Sequence, residues 1–133
     1  MQWNNGKNAG FSEGESWLPV NPNYEEINAE KALADPDSVF HYYQKLIALR
    51  KEYPVFVHGD FTLLEEEHPK LFVYRRSWQQ DELLVVCNFS GEETEIAFPE
   101  EWSTAQVLIS NYDQPGAVLR PWEAAILFRK KPQ

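Results

Sequence analysis

Hydrophobic and polar positions divide the 133-residue chain into three zones. Over residues 1 to about 27 no period holds. Trp3, Phe11, Trp17, Leu18 and Val20 are scattered among Gly6, Gly10, Gly14, Pro19 and Pro22, which is a loop pattern. A loop of this length inside a compact domain is uncommon and tends to carry function. Its aromatic and aliphatic residues argue that it packs onto a surface.

The second zone is helical. Asn28 is placed to cap a short turn over Ala29 to Ala34. A longer helix over about 36–52 follows in DPDSVFHYYQKLIALRKEYP. Acids precede it, Lys45, Arg50 and Lys51 fall late, and Pro54 stops it, in agreement with the helix dipole and with proline's missing N–H. Val39, Phe40, Tyr42, Tyr43, Leu46, Ile47 and Leu49 cover about 180° of its circumference, where a surface helix needs a stripe of about 100°. Such a helix is built to pack against two bodies. His41 falls on its polar side, where a solvated ring is expected.

The third zone reads as β-structure. Runs over Phe61–Glu65, Leu71–Arg76, Leu83–Phe89, Thr94–Phe98, Ala105–Ile109, Ala117–Leu119 and Glu123–Phe128 are separated by turn residues. Thr94, Ile96 and Phe98 alternate as a half-exposed strand does, whereas LLVVCNF is continuously apolar, as a central strand is. Seven short antiparallel strands predict a two-sheet sandwich with Greek-key connections. The fold class expected is therefore mainly β, an antiparallel sandwich preceded by an N-terminal loop and helix.

Composition narrows the function. With 43% hydrophobic and 14% aromatic residues the chain is not a disordered one, and its net charge of −9 argues against nucleic-acid or membrane partners, which require a basic face. Cys87 is the only cysteine, so no internal disulfide forms; the chain fits a reducing, cytoplasmic compartment. His41, His58 and His68 share no ligand spacing, and no cofactor or metal is expected. The acids occur as surface-like clusters, no phosphate-cradling loop follows a strand, and no serine sits in a nucleophile elbow. Asn88-Phe89-Ser90 is a glycosylation sequon that reads better as a turn at a strand end. Trp3, Trp17 and Trp78 are candidates to stack on sugar rings, although ordinary packing is the commoner reason for such residues.

Four stretches in order carry a resemblance: MQWNNGKNAGF, VNPNYEEIN, SVFHYYQKLIALRK and LRPWEAAILF. Together they resemble the C-terminal part of family 13 glycoside hydrolases, in the branch of oligo-1,6-glucosidases and trehalose-6-phosphate hydrolases. EKALADPDSVF and YRRSWQQDELLVVCNFS lean towards the latter. The resemblance covers essentially the whole chain.

It implies a plan: a (β/α)8 barrel, then a C-terminal antiparallel β-domain. Residues 1–34 correspond to the loop after the eighth barrel strand and about 36–52 to the last barrel helix. Residues 1–54 are then a remnant of the barrel and 55–133 the β-domain. The barrel is the helix's second body and the implied partner. The implied parent enzyme hydrolyses α-glucosidic bonds of a small oligosaccharide or disaccharide with retention, through an Asp nucleophile, a Glu acid/base and a second Asp. Their motifs, of the type GFRxD and NHD, do not occur here, so no catalytic residue is carried over and the chain alone is expected to be inactive.

Position does carry over. Loops after barrel strands line the active face, which makes Trp3, Asn4 and Phe11 the substrate-loop candidates. Relatives commonly have Asp where this chain has Asn4, a change that removes a charge. Met1 is at once a family motif residue and a start codon. Without its wall, the first eleven residues are expected to be mobile or held by other packing. A free-standing carbohydrate-binding module, or self-association through the helix face, are the alternatives.

Overall fold

The computed structural model describes residues 1–132, which fold as two compact units, Met1–Ile47 and the chain from Ala48 onward. In the first unit, short 3-10 turns at Lys7–Gly10 and Pro22–Glu25 interrupt the loop. Helix α1 spans Ala29–Ala34 and helix α2 spans Val39–Glu52. Asn28 caps α1 as its sequence position predicts, its Oδ1 accepting from Lys31 N–H at 2.9 Å. Helix α2 starts later than expected, and the reason is local. Asp35 Oδ1 accepts from Asp37 N–H at 2.9 Å and Asp35 O from Ser38 N–H at 3.1 Å, so residues 35–38 close a separate turn. Ser38, whose carbonyl accepts from Tyr42 N–H at 3.0 Å, opens the helix instead.

No residue of α2 is fully buried. Tyr42, Leu46 and Leu49 are half-buried, whereas Val39, Phe40, Tyr43 and Ile47 stand 74%, 45%, 62% and 52% exposed. The broad apolar arc expected from the sequence is thus present, and one side of it is open. His41 is not freely solvated. Its ring is half-buried, with Nε2 3.1 Å from Leu33 O and Nδ1 3.2 Å from Gln44 Oε1.

Pro54 ends α2 but at once begins a further turn, α3, over Val55–His58. Gly59 closes it through N–H to Val55 O at 3.1 Å, and a Cβ there would stand 2.5 Å from that same oxygen. Only glycine permits so close an approach.

All seven expected strands form: β1 Thr62–Leu64, β2 Leu71–Trp78, β3 Asp81–Asn88, β4 Thr94–Glu95, β5 Gln106–Ser110, β6 Val118–Leu119 and β7 Ala124–Lys130. Five make an antiparallel sheet in the order β1-β2-β3-β7-β5; β4 and β6 make a separate two-stranded ribbon. The fold is an antiparallel β-sandwich with one thin layer. The run after Thr94 leaves the ladder early, because Ile96 N–H bonds to Ala117 O and Phe98 N–H turns back to Ile96 O at 3.1 Å.

The core lies between the layers. Leu71, Val73, Leu84, Val86, Ala125 and Leu127 from one face of the sheet meet Ile96, Trp102 and Leu119. The other face of β3 is buried too, with Leu83 at 0% and Val85 at 7% exposed, which explains its continuous apolar sequence. Helix α3 packs on β2 and β3, Val55 is fully buried, and Tyr53 meets the Phe128 ring at 5.0 Å. No described helix is long and apolar enough to cross a membrane.

Candidate functional site

The N-terminal loop is built by its own backbone. Asn8, Ala9 and Gly10 take left-handed conformations in succession, with φ of 53°, 55° and 70°. This tight reversal aims Ala9 O back at the start of the chain, where it accepts from Trp3 N–H at 2.8 Å and Asn4 N–H at 3.2 Å. Ala9 itself is buried, at 1% exposure. Gly10 is required twice over, by its φ and because a Cβ there would lie 2.5 Å from Asn4 Nδ2.

The same short stretch caps helix α1. The first amides of a helix lack partners within it. Here Gln2 O accepts from Ala29 N–H and Trp3 O from Glu30 N–H, both at 2.9 Å. Gln2 Nε2 donates to Asn23 Oδ1 at 3.1 Å and to Ile27 O. The segment expected to be mobile or otherwise held is therefore anchored by main-chain hydrogen bonds on both sides.

On this frame Trp3 is 49% exposed and Phe11 71% exposed. Asn4 turns inward, its Oδ1 accepting from Gly6 N–H at 2.9 Å. That acceptor role needs no charge, so an amide fulfils it as well as a carboxylate. The backbones of Trp3 and Asn4 thus converge on the turn that leads into Phe11. Further along the loop is a shallow depression of about 390 Å³ lined by residues that include Lys7, Asn8, Glu15, Ser16, Leu18 and Tyr24, and by none of Trp3, Asn4 and Phe11. Asn8 Nδ2 shapes its rim by donating to Ser12 O at 2.9 Å and Gly14 O at 2.6 Å. Trp17 is the most open of the three tryptophans, at 90%, whereas Trp78 lies 5.2 Å from the His58 ring.

Two groups that sequence inspection missed are buried acids of the second unit. Glu82, 4% exposed, takes Arg129 Nη2 at 2.6 Å and Nε at 2.8 Å, and Ser77 Oγ at 3.0 Å. Glu123, 1% exposed, holds Arg120 by Nη2 at 3.0 Å and Nε at 3.1 Å, and accepts from Arg120 N–H at 2.7 Å. Burial pushes both carboxyls up, but the arginine hydrogen bonds outweigh it and hold both below the ordinary range. A carboxylate held ionised by a forked arginine does not serve as a proton donor, so these two brace the sheet. Period-2 alternation was the available signal: Glu82 lies in phase with Leu84 and Val86. Burial lifts the Cys87 thiol above its usual range, as befits a packed side chain. Asn88 of the sequon is 2% exposed, with Nδ2 donating to Glu92 O at 2.7 Å and Arg120 O at 3.0 Å.

Comparison with known proteins covers most of the chain. Residues 1–59 match the family described as alpha amylase, catalytic domain, and residues 61–115 the maltogenic amylase C-terminal domain. The chain is 47% identical to an oligo-1,6-glucosidase of Halalkalibacterium halodurans over 98% of its own length and 25% of the relative's. It is 41% identical to a trehalose-6-phosphate hydrolase of Bacillus subtilis, over 99% and 25%. The crystal structure of Bacillus licheniformis trehalose-6-phosphate hydrolase matches with a TM-score of 0.91 at 42% identity, over 98% of this chain and 25% of that one. The chain spans about a quarter of the length of these relatives. With its anchored loop, its two-faced helix and its sandwich, the chain belongs to the α-amylase family of glycoside hydrolases and contains that family's C-terminal β-domain.

Proposed function

We propose that this chain is the C-terminal part of an α-glucosidase that hydrolyses α-glucosidic bonds of small oligosaccharides or trehalose-6-phosphate with retention, and that it holds none of the catalytic carboxylates. One observation carries the reading: the whole chain aligns with glucosidases at 41–47% identity while spanning only a quarter of them. Residues 1–54 are the barrel remnant and 55–133 the β-domain. The chain stabilises the barrel, and Trp3, Asn4 and Phe11 help to shape the substrate entrance. The open face of α2, at Val39, Phe40, Tyr43 and Ile47, is where the barrel docks. In its absence a second copy of the chain takes that place. The compartment is the cytoplasm.

Assaying the purified chain on p-nitrophenyl-α-glucoside, isomaltose and trehalose-6-phosphate tests the central claim. No turnover is expected, and genuine turnover would overturn it. Co-expression with the preceding three quarters of an oligo-1,6-glucosidase should restore hydrolysis. Trp3→Ala and Phe11→Ala in that pair should then alter KM without abolishing association. Unchanged kinetics would remove the substrate-entrance role.

A further inference from the structure

The turn between β6 and β7 breaks a local rule. Residues Arg120 to Glu123 form a β-turn closed by Glu123 N–H to Arg120 O at 3.1 Å, with Pro121 second and Trp122 third at φ +58°. That is the arrangement of a type II turn, whose third position favours glycine or asparagine because other side chains crowd the backbone there. Here the position holds the bulkiest side chain of all, and the indole is 61% exposed. Neither backbone ease nor core burial accounts for it.

The surroundings hold the main chain at this tryptophan from both sides. Trp122 N–H bonds to Ser90 O at 3.0 Å, and Trp122 O accepts from Asn111 Nδ2 at 2.8 Å. Asn111 Oδ1 in turn accepts from Ala124 N–H at 2.8 Å. On the preceding side the Tyr112 hydroxyl donates to Pro121 O at 2.9 Å, and the Arg120 guanidinium lies 4.4 Å above the Tyr112 ring. On the following side Glu123 is buried and forked to Arg120. The indole edge lies over the Ser90-Gly91 turn, with Nε1 and Cζ2 3.8 and 3.9 Å from where a Gly91 Cβ would stand. The ring is thus held at one edge and is largely exposed.

We infer that Trp122 is a stacking platform for one pyranose ring of an α-linked glucose oligosaccharide. Trp122 together with the neighbouring Tyr112, 43% exposed, presents an aromatic area of a sugar's dimensions, not of a protein interface, which needs hundreds of square ångströms of apolar core. Asp113, whose side chain is fully exposed, supplies a hydrogen-bonding carboxylate in the same turn cluster. The strain is kept because the platform needs the ring there, as backbone strain at binding sites commonly is. The ligand class rests on the glucosidase reading above; the platform itself does not.

Saturation-transfer NMR on the 133-residue chain with maltotriose, isomaltotriose and cellotriose tests this. The α-linked trisaccharides should bind with a Kd in the range of about 1 mM. Trp122→Gly should weaken binding by about tenfold or more while leaving the thermal midpoint unchanged or raised, and Trp122→Phe should retain most of it. Absence of transfer from the wild-type chain, or equal binding by Trp122→Gly, would sink the platform. So would a midpoint that falls in Trp122→Gly, because the ring would then be structural. Trp122-dependent binding of cellotriose alone would keep a sugar platform but overturn the α-glucoside assignment, whatever the hydrolysis assay returns.

Discussion

Glu123 sits in the PWEAAI motif with its side chain wholly withdrawn from solvent, and everything it does follows from Arg120 three residues earlier. Removing Arg120 strands a buried carboxylate, so Arg120→Ala should lower stability. Glu123→Gln keeps the shape and loses the charge, and should cost less. Both are read from thermal or denaturant unfolding of the chain. The pH dependence has a definite sign. Glu82 and Glu123 are held below their ordinary range when folded, so the stability they contribute is complete above the unfolded value of about 4.3 and is lost as pH falls through it towards the folded values. The unfolding midpoint should therefore drop as pH is lowered below about 5. In Glu82→Gln the acid limb should be shallower; an identical limb would show that Glu82 does not titrate on unfolding.

Among the elements, α3 depends on a residue far from it in sequence. Arg76 of β2 donates through Nη1 to Phe56 O, through Nη2 to Gly59 O and through Nε to Asp60 O at 3.2 Å. A planar fork reaches three carbonyls at once, which a lysine ammonium on a flexible stem does not. Arg76→Ala should destabilise the sheet-bearing unit by about 2 kcal/mol and remove amide-exchange protection at Val57 and His58. Arg76→Lys should recover little of either. The N-terminal loop makes a parallel case. Trp3 and Asn4 amides, bonded to Ala9 O, should exchange slowly in the wild-type chain. Gly10→Ala, placed where φ is +70° and Asn4 fills the space, should release them. Fast exchange of both amides in the wild type would show the anchoring to be weak.

For the whole molecule, the open face of α2 sets the behaviour. Val39, Phe40, Tyr43 and Ile47 are exposed together on one side of a helix with no fully buried residue, and contiguous apolar surface of that kind seeks a cover. Sedimentation equilibrium should show mass rising with concentration, and Tyr43→Glu with Ile47→Glu should return the chain to monomer. A concentration-independent monomer in the wild type would remove self-association.

Much of this was legible in sequence. Each of the seven strands falls within two residues of its expected start, because turn residues and alternation act locally. Asn28, Pro54 and the apolar arc of α2 were equally plain. The sites were less so. Trp3, Asn4 and Phe11 came forward by resemblance, and it took the left-handed turn at Asn8–Gly10 to show how the first two are tied down. Little in the sequence singles out Glu82, Glu123 or Trp122, whose settings depend on residues brought together by the fold.

The sequence by itself determined the order of elements, since this depends on neighbours two to four residues away, and the family, through four motifs in order along the chain. The tertiary structure alone decided which acids are buried, which carbonyls Arg76 grips and which tryptophan is held at one edge but exposed. Those outcomes depend on partners brought together from distant stretches, Glu82 with Arg129 among them. No local pattern of charge or hydrophobicity specifies such a meeting; only the register of β3 against β7 does.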